Sequence, residues 1–159
     1  TSMVHRFVED KFESNYKGTI GVSIMKKQCN FEGLNTNVRF VIWDLAGQTV
    51  FKRIRKTYLL NAEAGLIVYD VTRRETFENI RGWFEEVRNG APRIVLVLVG
   101  NKSDLKEQRE INREEAENLA QELGLSYIET SAKTGENVDD AFRMLALDAI
   151  KRNFTTEEV

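Results

Sequence analysis

The sequence predicts an α/β fold: an open, mostly parallel twisted sheet with helices on both faces. Two observations carry this. Gly65-Leu66-Ile67-Val68-Tyr69-Asp70-Val71 and Ile94-Val95-Leu96-Val97-Leu98-Val99-Gly100 are continuously apolar and rich in branched residues. Strands buried on both faces read this way, which is the habit of parallel sheets. Segments of helical spacing also alternate with the later strands, as right-handed crossovers require. In such sheets ligands bind beyond the carboxyl ends of the strands.

The elements come in order along the chain. Met3, Val4, Phe7 and Val8 predict a helix at the start. Gly21 to Phe31 is less apolar and reads as an edge strand, paired through a Gly33-Leu34-Asn35 turn with the run Val38 to Asp44. Thr72-x-x-Glu75 has the form of a capping box, followed by Phe77, Ile80, Phe84 and Val87 on one helical face. Asn112 with Glu115 predicts the start of another helix, ending at Gly124. Ser126 to Glu129 is a short fifth strand. Val138, Ala141, Phe142, Leu145, Ala149 and Ile150 mark the last helix.

The chain has 159 residues and a net charge of -2. That length suits one domain with a real core, and the charge gives no reason to expect nucleic acid as a partner. Cys29 is the single cysteine, so an internal disulfide is excluded and a reducing setting is the simple reading. No apolar run is long enough to cross a bilayer. His5, Cys29, Trp83 and the aromatic residues of the helices read as surface or packing residues, and Glu114 to Glu122 as a solvated helix face.

Four motifs sit where strands end. Asp44-Leu45-Ala46-Gly47-Gln48 places a carboxylate at a strand's carboxyl end, where it can hold Mg²⁺ through water. Gly47 lets a backbone N–H come close to a phosphate; read alone, the motif serves equally as a turn. Asn101-Lys102-Ser103-Asp104 follows the most apolar strand. Asp104 can accept the paired N–H donors of guanine, which adenine does not offer; a buried carboxylate left unpaired discriminates by ~10⁴-fold or more. Ser131-Ala132-Lys133 allows a backbone N–H to reach a base oxygen, though by itself it reads more simply as a solvated turn. Thr19, in Tyr16-Lys17-Gly18-Thr19-Ile20-Gly21, either gives a hydroxyl to a metal or merely begins the strand. The four occur in one order, each in a loop at one rim of the expected sheet. Chance explains that poorly.

On these motifs, with Thr76-Phe77-Glu78-Asn79 and Glu129-Thr130-Ser131-Ala132-Lys133, the whole chain resembles the Ras-superfamily small GTPases. Trp43 and Thr19-Ile20-Gly21-Val22 look most like the Rab branch. The resemblance implies a molecular switch that binds GTP or GDP with Mg²⁺ and slowly hydrolyses GTP, regulating vesicle traffic or signalling. It implies that Thr1 and Thr19 are Mg²⁺ ligands and that Asp44 holds the ion through water. Gly47 donates its N–H to the γ-phosphate and Gln48 orients the attacking water. Asn101 and Asp104 select guanine, Lys102 lies along the ring, and Ser131, Ala132 and Lys133 complete the base pocket. The implied partners are effector, exchange-factor and GTPase-activating proteins, one of which would bring the arginine finger that is not evident here. Leu45 replaces the family's usual threonine, and Ile24 stands where most Rab proteins carry an aromatic effector-contacting residue.

No Gly-x-x-x-x-Gly-Lys-Ser/Thr occurs in the sequence, and Thr1 to Phe7 matches the family's residues immediately after that lysine. The resemblance thus implies one small GTPase domain over residues 1–159, N-terminally incomplete and lacking its first strand and phosphate-binding loop. The favoured expectation is that those residues exist in the molecule ahead of Thr1; a segment supplied by another chain is an alternative. A nucleotide-free pseudo-GTPase acting as an interaction module is another, and Thr19 and Gln48 count against it. A dinucleotide-binding enzyme is set aside because no Gly-x-Gly-x-x-Gly appears. Phe154 to Val159 carries no prenylation cysteine. The chain is therefore expected to be cytoplasmic, reaching membranes only through a lipidated tail beyond Val159.

Overall fold

A computed structural model describes residues 1–14, 18–31, 37–47 and 52–156, without the side chains of 52–55 and 153–156. Helix α1 (Ser2–Glu9) leads into an antiparallel pair, β1 (Val22–Asn30) and β2 (Asn37–Leu45). Then come α2 (Lys52–Leu59), β3 (Ala64–Asp70), α3 (Arg74–Glu78) and α4 (Ile80–Gly90). β4 (Val95–Asn101), α5 (Arg113–Leu123), β5 (Ser126–Thr130) and α6 (Val138–Thr156) complete the order. β3, β4 and β5 form a parallel sheet in that order. Their register puts Asp70, Asn101 and Thr130 side by side at the carboxyl edge.

The expected α/β architecture is present, and its helices cover both faces of the parallel sheet. Side chains alternate along β4 because the pleat sends successive residues to opposite faces. Leu96 and Leu98 join Ile67 and Tyr69 against Phe77, Ile80, Ala116 and Leu119 of α3, α4 and α5. Val97 and Val99 pack against Met3 of α1 and Ala141 and Leu145 of α6. The continuous apolar run is the sequence signature of that double burial.

The strands fall into two hydrogen-bonded sets, β1-β2 and β3-β4-β5, where the sequence predicts one open sheet. No other described strand pairs with β2 or with the outer edge of β3. A third core bridges them: Phe7, Val138 and Phe142 pack with Phe40 and Ile42 of β2 and Leu66 of β3. Phe7 stacks on Phe142 at 3.8 Å, and Phe40 lies perpendicular to both rings, its centroid 5.3 and 5.8 Å from theirs. Burying each such ring contributes roughly 1.5–3 kcal/mol, which makes α1 and α6 the common floor of the two sheets.

Some local expectations shift. The Thr72 capping box does not form: α3 starts at Arg74 with Arg73 as an N-cap that makes no side-chain hydrogen bond. Thr72 instead donates its hydroxyl to Asp70 Oδ1 at 2.6 Å, a competing local bond that uses up the capping group. The helix expected to run on through Val87 is broken at Asn79 into α3 and α4. Asn112 does cap α5, accepting from the Glu115 N–H at 2.8 Å, and Gly124 closes it in the left-handed region at φ 66°. Helix α2 has no counterpart among the elements expected from the sequence. The acidic face of α5 is more than solvated: Glu115 pairs with Arg74, and Glu122 takes both arms of Arg81 at 2.6 Å. The Gly33-Leu34-Asn35 turn lies outside the described residues.

Candidate functional site

The carboxyl edge of the parallel sheet carries the predicted base-recognition residues. Asn101 ends β4, and its Oδ1 accepts from the Thr130 hydroxyl and from the Ala132 N–H, each at 3.1 Å. Asp104 accepts the hydroxyl of Ser131 at 2.6 Å. The same Ser131 oxygen accepts the Thr134 N–H at 3.1 Å, and the Ser103 N–H donates to the Thr130 carbonyl at 3.0 Å. The two loops are therefore interlocked, with a carboxylate, an amide and a backbone N–H gathered on one rim. Thr130, Ser131 and Ala132 are buried, whereas Lys133 is exposed.

Lys102 holds a left-handed backbone, φ 71°, which costs a non-glycine residue on the order of 1 kcal/mol and is typical of functional loops. Its ammonium lies 2.6 Å from Asp70 Oδ2. Burial raises the Asp70 carboxyl, but the hydrogen bonds from Lys102 and Thr72 outweigh it and hold the group below its ordinary value.

At the other end of the rim, three predicted Mg²⁺ contributors converge from three elements. Thr1 Oγ1, at the N-cap of α1, lies 2.6 Å from Thr19 Oγ1 and also donates to Asp44 Oδ2. Thr19 Oγ1 lies 3.2 Å from that same carboxylate oxygen. The two ends of the rim are continuous, because the Thr130 hydroxyl reaches Met3 Sδ, two residues after Thr1, at 3.5 Å. The converging side-chain atoms are all oxygens, the hard donors Mg²⁺ takes, so the side-chain set fits that ion; the Thr1 N-terminal nitrogen also lies 3.5 Å from Asp44 Oδ1. No cluster of three or more His, Cys, Asp or Glu occurs among the described residues, so a metal here depends on the two hydroxyls. Gly47 is exposed just past β2, and Gln48 lies outside the described residues.

The Ras family profile matches residues 1–151. The chain is 43% identical over 155 residues to Ras-related protein Rab-19 of Xenopus laevis, covering 96% of this chain and 72% of that protein. It is 37% identical over 154 residues to Ras-related protein Rab-13 of Bos taurus, with 96% and 75% covered. The chain belongs to the Ras family. Within it, this is a Rab-like small GTPase.

In this Rab-like chain the outer face of β1-β2 exposes Ile24, Val41 and Trp43, and Trp43 leans on Tyr58 of α2 at 4.7 Å. Ile24 is paired with Trp43 across the strands. His5 faces solvent beside Glu9 Oε2 at 3.2 Å, and the Cys29 thiol is pushed up by burial; neither joins the rim. Three contributors near the rim receive no role from the sequence. Asp70 had a readable signal, as a carboxylate closing an apolar run just as Asp44 does. Thr130, within the Glu129 to Lys133 string, and Arg6 act on partners distant in sequence that no local pattern identifies.

Proposed function

We propose that this Rab-like GTPase is a guanine-nucleotide switch that binds GTP and GDP with Mg²⁺ and slowly hydrolyses GTP to GDP. It would act in vesicle traffic or signalling through effector, exchange-factor and GTPase-activating partners. The observation that carries the reading is the single rim holding two sets of groups: Asn101, Asp104, Ser131 and Ala132 at one end, Thr1, Thr19 and Asp44 at the other. Asp104 accepts the two guanine donors, Lys102 and Lys133 flank the ring, and the Ala132 N–H donates to the base oxygen. Asp104 gives up part of its bond to Ser131 and the Ala132 N–H part of its bond to Asn101, so guanine replaces partners of the same polarity and adenine leaves a carboxylate unmatched. Mg²⁺ on Thr1 and Thr19, with Asp44 behind its water, would supply positive charge against the phosphates. Gly47 offers a backbone N–H to the terminal phosphate, and Gln48 would orient water. The domain as a unit is proposed to span residues 1–159.

A titration of fluorescent GDP with Mg²⁺, competed by unlabelled GTP and ATP, tests this. Displacement by GTP and not by ATP is expected, with binding weakened at least tenfold by Asp104→Ala. Equal competition by ATP, or no purine binding by folded protein, would sink the reading.

A further inference from the structure

Arg6 is absent from the proposed nucleotide residues, yet its guanidinium grips their loop from behind. Its Nε donates to the Ala132 carbonyl at 2.8 Å and its Nη2 to the Lys133 carbonyl at 2.7 Å. Its Nη1 donates to Asp10, to the carboxylate at 2.8 Å and the carbonyl at 3.2 Å. Asp10 is the left-handed cap that closes α1, φ 54°. The Arg6 stem runs beside Gly135, whose added Cβ would meet Arg6 Cδ at 3.7 Å. The Arg6 side chain is 18% exposed and its bond to the Ala132 carbonyl is the sheltered one, whereas the Asp10 carboxylate it pairs with is 91% exposed. Only a planar fork can serve two successive carbonyls and a carboxylate at once; a lysine ammonium is a point donor.

We propose that Arg6 is a positioning residue that latches the 131–135 turn and ties it to Asp10 at the end of α1. The turn's amide groups are aimed by internal bonds: Ala132 N–H to Asn101, Thr134 N–H to the Ser131 hydroxyl, Gly135 N–H to the Ser131 carbonyl at 2.8 Å. Arg6 fixes the opposite, carbonyl side of the same peptide units. Because one guanidinium holds both segments, displacing Asp10 loosens the turn, and an occupant that tightens the turn steadies the Asp10 segment by the same factor. The link to nucleotide rests on the proposed base pocket; the latch itself does not.

Amide hydrogen exchange on the whole chain without nucleotide tests the latch directly. Arg6→Gln and Arg6→Lys are each expected to speed exchange at residues 132, 134 and 135 by about tenfold, with amides of β4 and α5 unchanged. Asp10→Ala is expected to produce a smaller acceleration at the same three amides, and Arg113→Ala, which breaks an exposed pair on α5, none. Unchanged exchange at the turn in the Arg6 variants overturns the proposal. So does a uniform rise across the molecule, which would mark Arg6 as generally structural. No response to Asp10→Ala overturns the coupling. In parallel, Arg6→Gln is expected to speed release of fluorescent GDP by a similar factor. A loosened turn in the Arg6 variants of a protein that binds no GDP would uphold the latch and remove the nucleotide reading.

Discussion

The Lys102 ammonium lies 2.6 Å from Asp70 Oδ2, so the lysine beside the base loop is held by the carboxylate that ends the adjacent strand. Asp70 also accepts the Thr72 N–H at 2.9 Å and hydroxyl at 2.6 Å, which makes it the junction of β3, the turn to α3 and the rim. Its carboxyl is held below its ordinary value in the fold, so the unfolded chain takes up the proton first as pH falls. The stabilisation is complete above about pH 4 and is lost as pH drops through the lower folded value. Asp70→Asn is expected to cost about 1 kcal/mol at pH 7, since Lys102 is half exposed, and to flatten the loss of stability on acidification. Urea midpoints at pH 7 and at about pH 3 would show it. An unchanged acid limb in the variant would contradict it.

An opposite pH dependence is expected from Tyr69. Its hydroxyl lies 2.8 Å from that of Tyr127, which donates to Glu129 Oε1 at 2.9 Å. Burial above all pushes the Tyr69 phenol up to about 12, against an ordinary value of about 10. The unfolded chain therefore ionises first on alkalinisation. This contribution is intact below about pH 10 and declines as pH rises toward 12. Tyr69→Phe should show a smaller fall in urea midpoint over that window than the wild type. An equal fall would place the effect elsewhere.

Gly100 is required by the same pair of rings. A Cβ there would come within 2.7 Å of Tyr69 Oη and 3.0 Å of Tyr127 Oη. Gly100→Ala is expected to destabilise the protein by about 1–3 kcal/mol through overpacking. Adding Tyr69→Phe should restore only part of this, because the Tyr69 Cζ position, 2.9 Å away, stays occupied. Thermal unfolding of the single and double variants decides it; full additivity of the two losses would refute the clash.

For α5, Asn112→Ala removes the one side-chain cap that the Glu115 N–H has. A loss of about 1 kcal/mol is expected, with Asn112→Ser close to wild type. Circular dichroism melts of the three proteins are sufficient, and equal melting of the alanine and serine variants would disprove the cap's role.

β4 was legible because burial on both faces leaves a mark no other element makes, seven consecutive residues with hardly a polar one; β3 carries the same apolar run, but its Val68 is 46% exposed, so for that strand the expected double burial is not met. α5 was legible through its ends, where Asn112 and Gly124 perform chemistry that few other residues can. Thr72 misled because its hydroxyl had two acceptable partners, and the nearer carboxylate of Asp70 won. α2 was not visible, since Lys52 to Lys56 carries little apolar periodicity and only Leu59 among its described side chains is buried. Within the candidate site, Asn101, Asp104 and Ser131 could be read from their places after strands. Arg6 could not, because it serves backbone carbonyls more than a hundred residues away, and a carbonyl has no sequence signature.

β4 turns Leu96 and Leu98 into one core and Val97 and Val99 into the other, with none more than 5% exposed. Freeing Asn101 from its end means rupturing both cores at once, whereas among the described residues β1-β2 draws its strand hydrogen bonds only from itself. The two ends of the rim are thus anchored differently: the Asn101 end by two cores at once, the Asp44 end through the Phe40 and Ile42 side chains of its strand on Phe7 and Phe142.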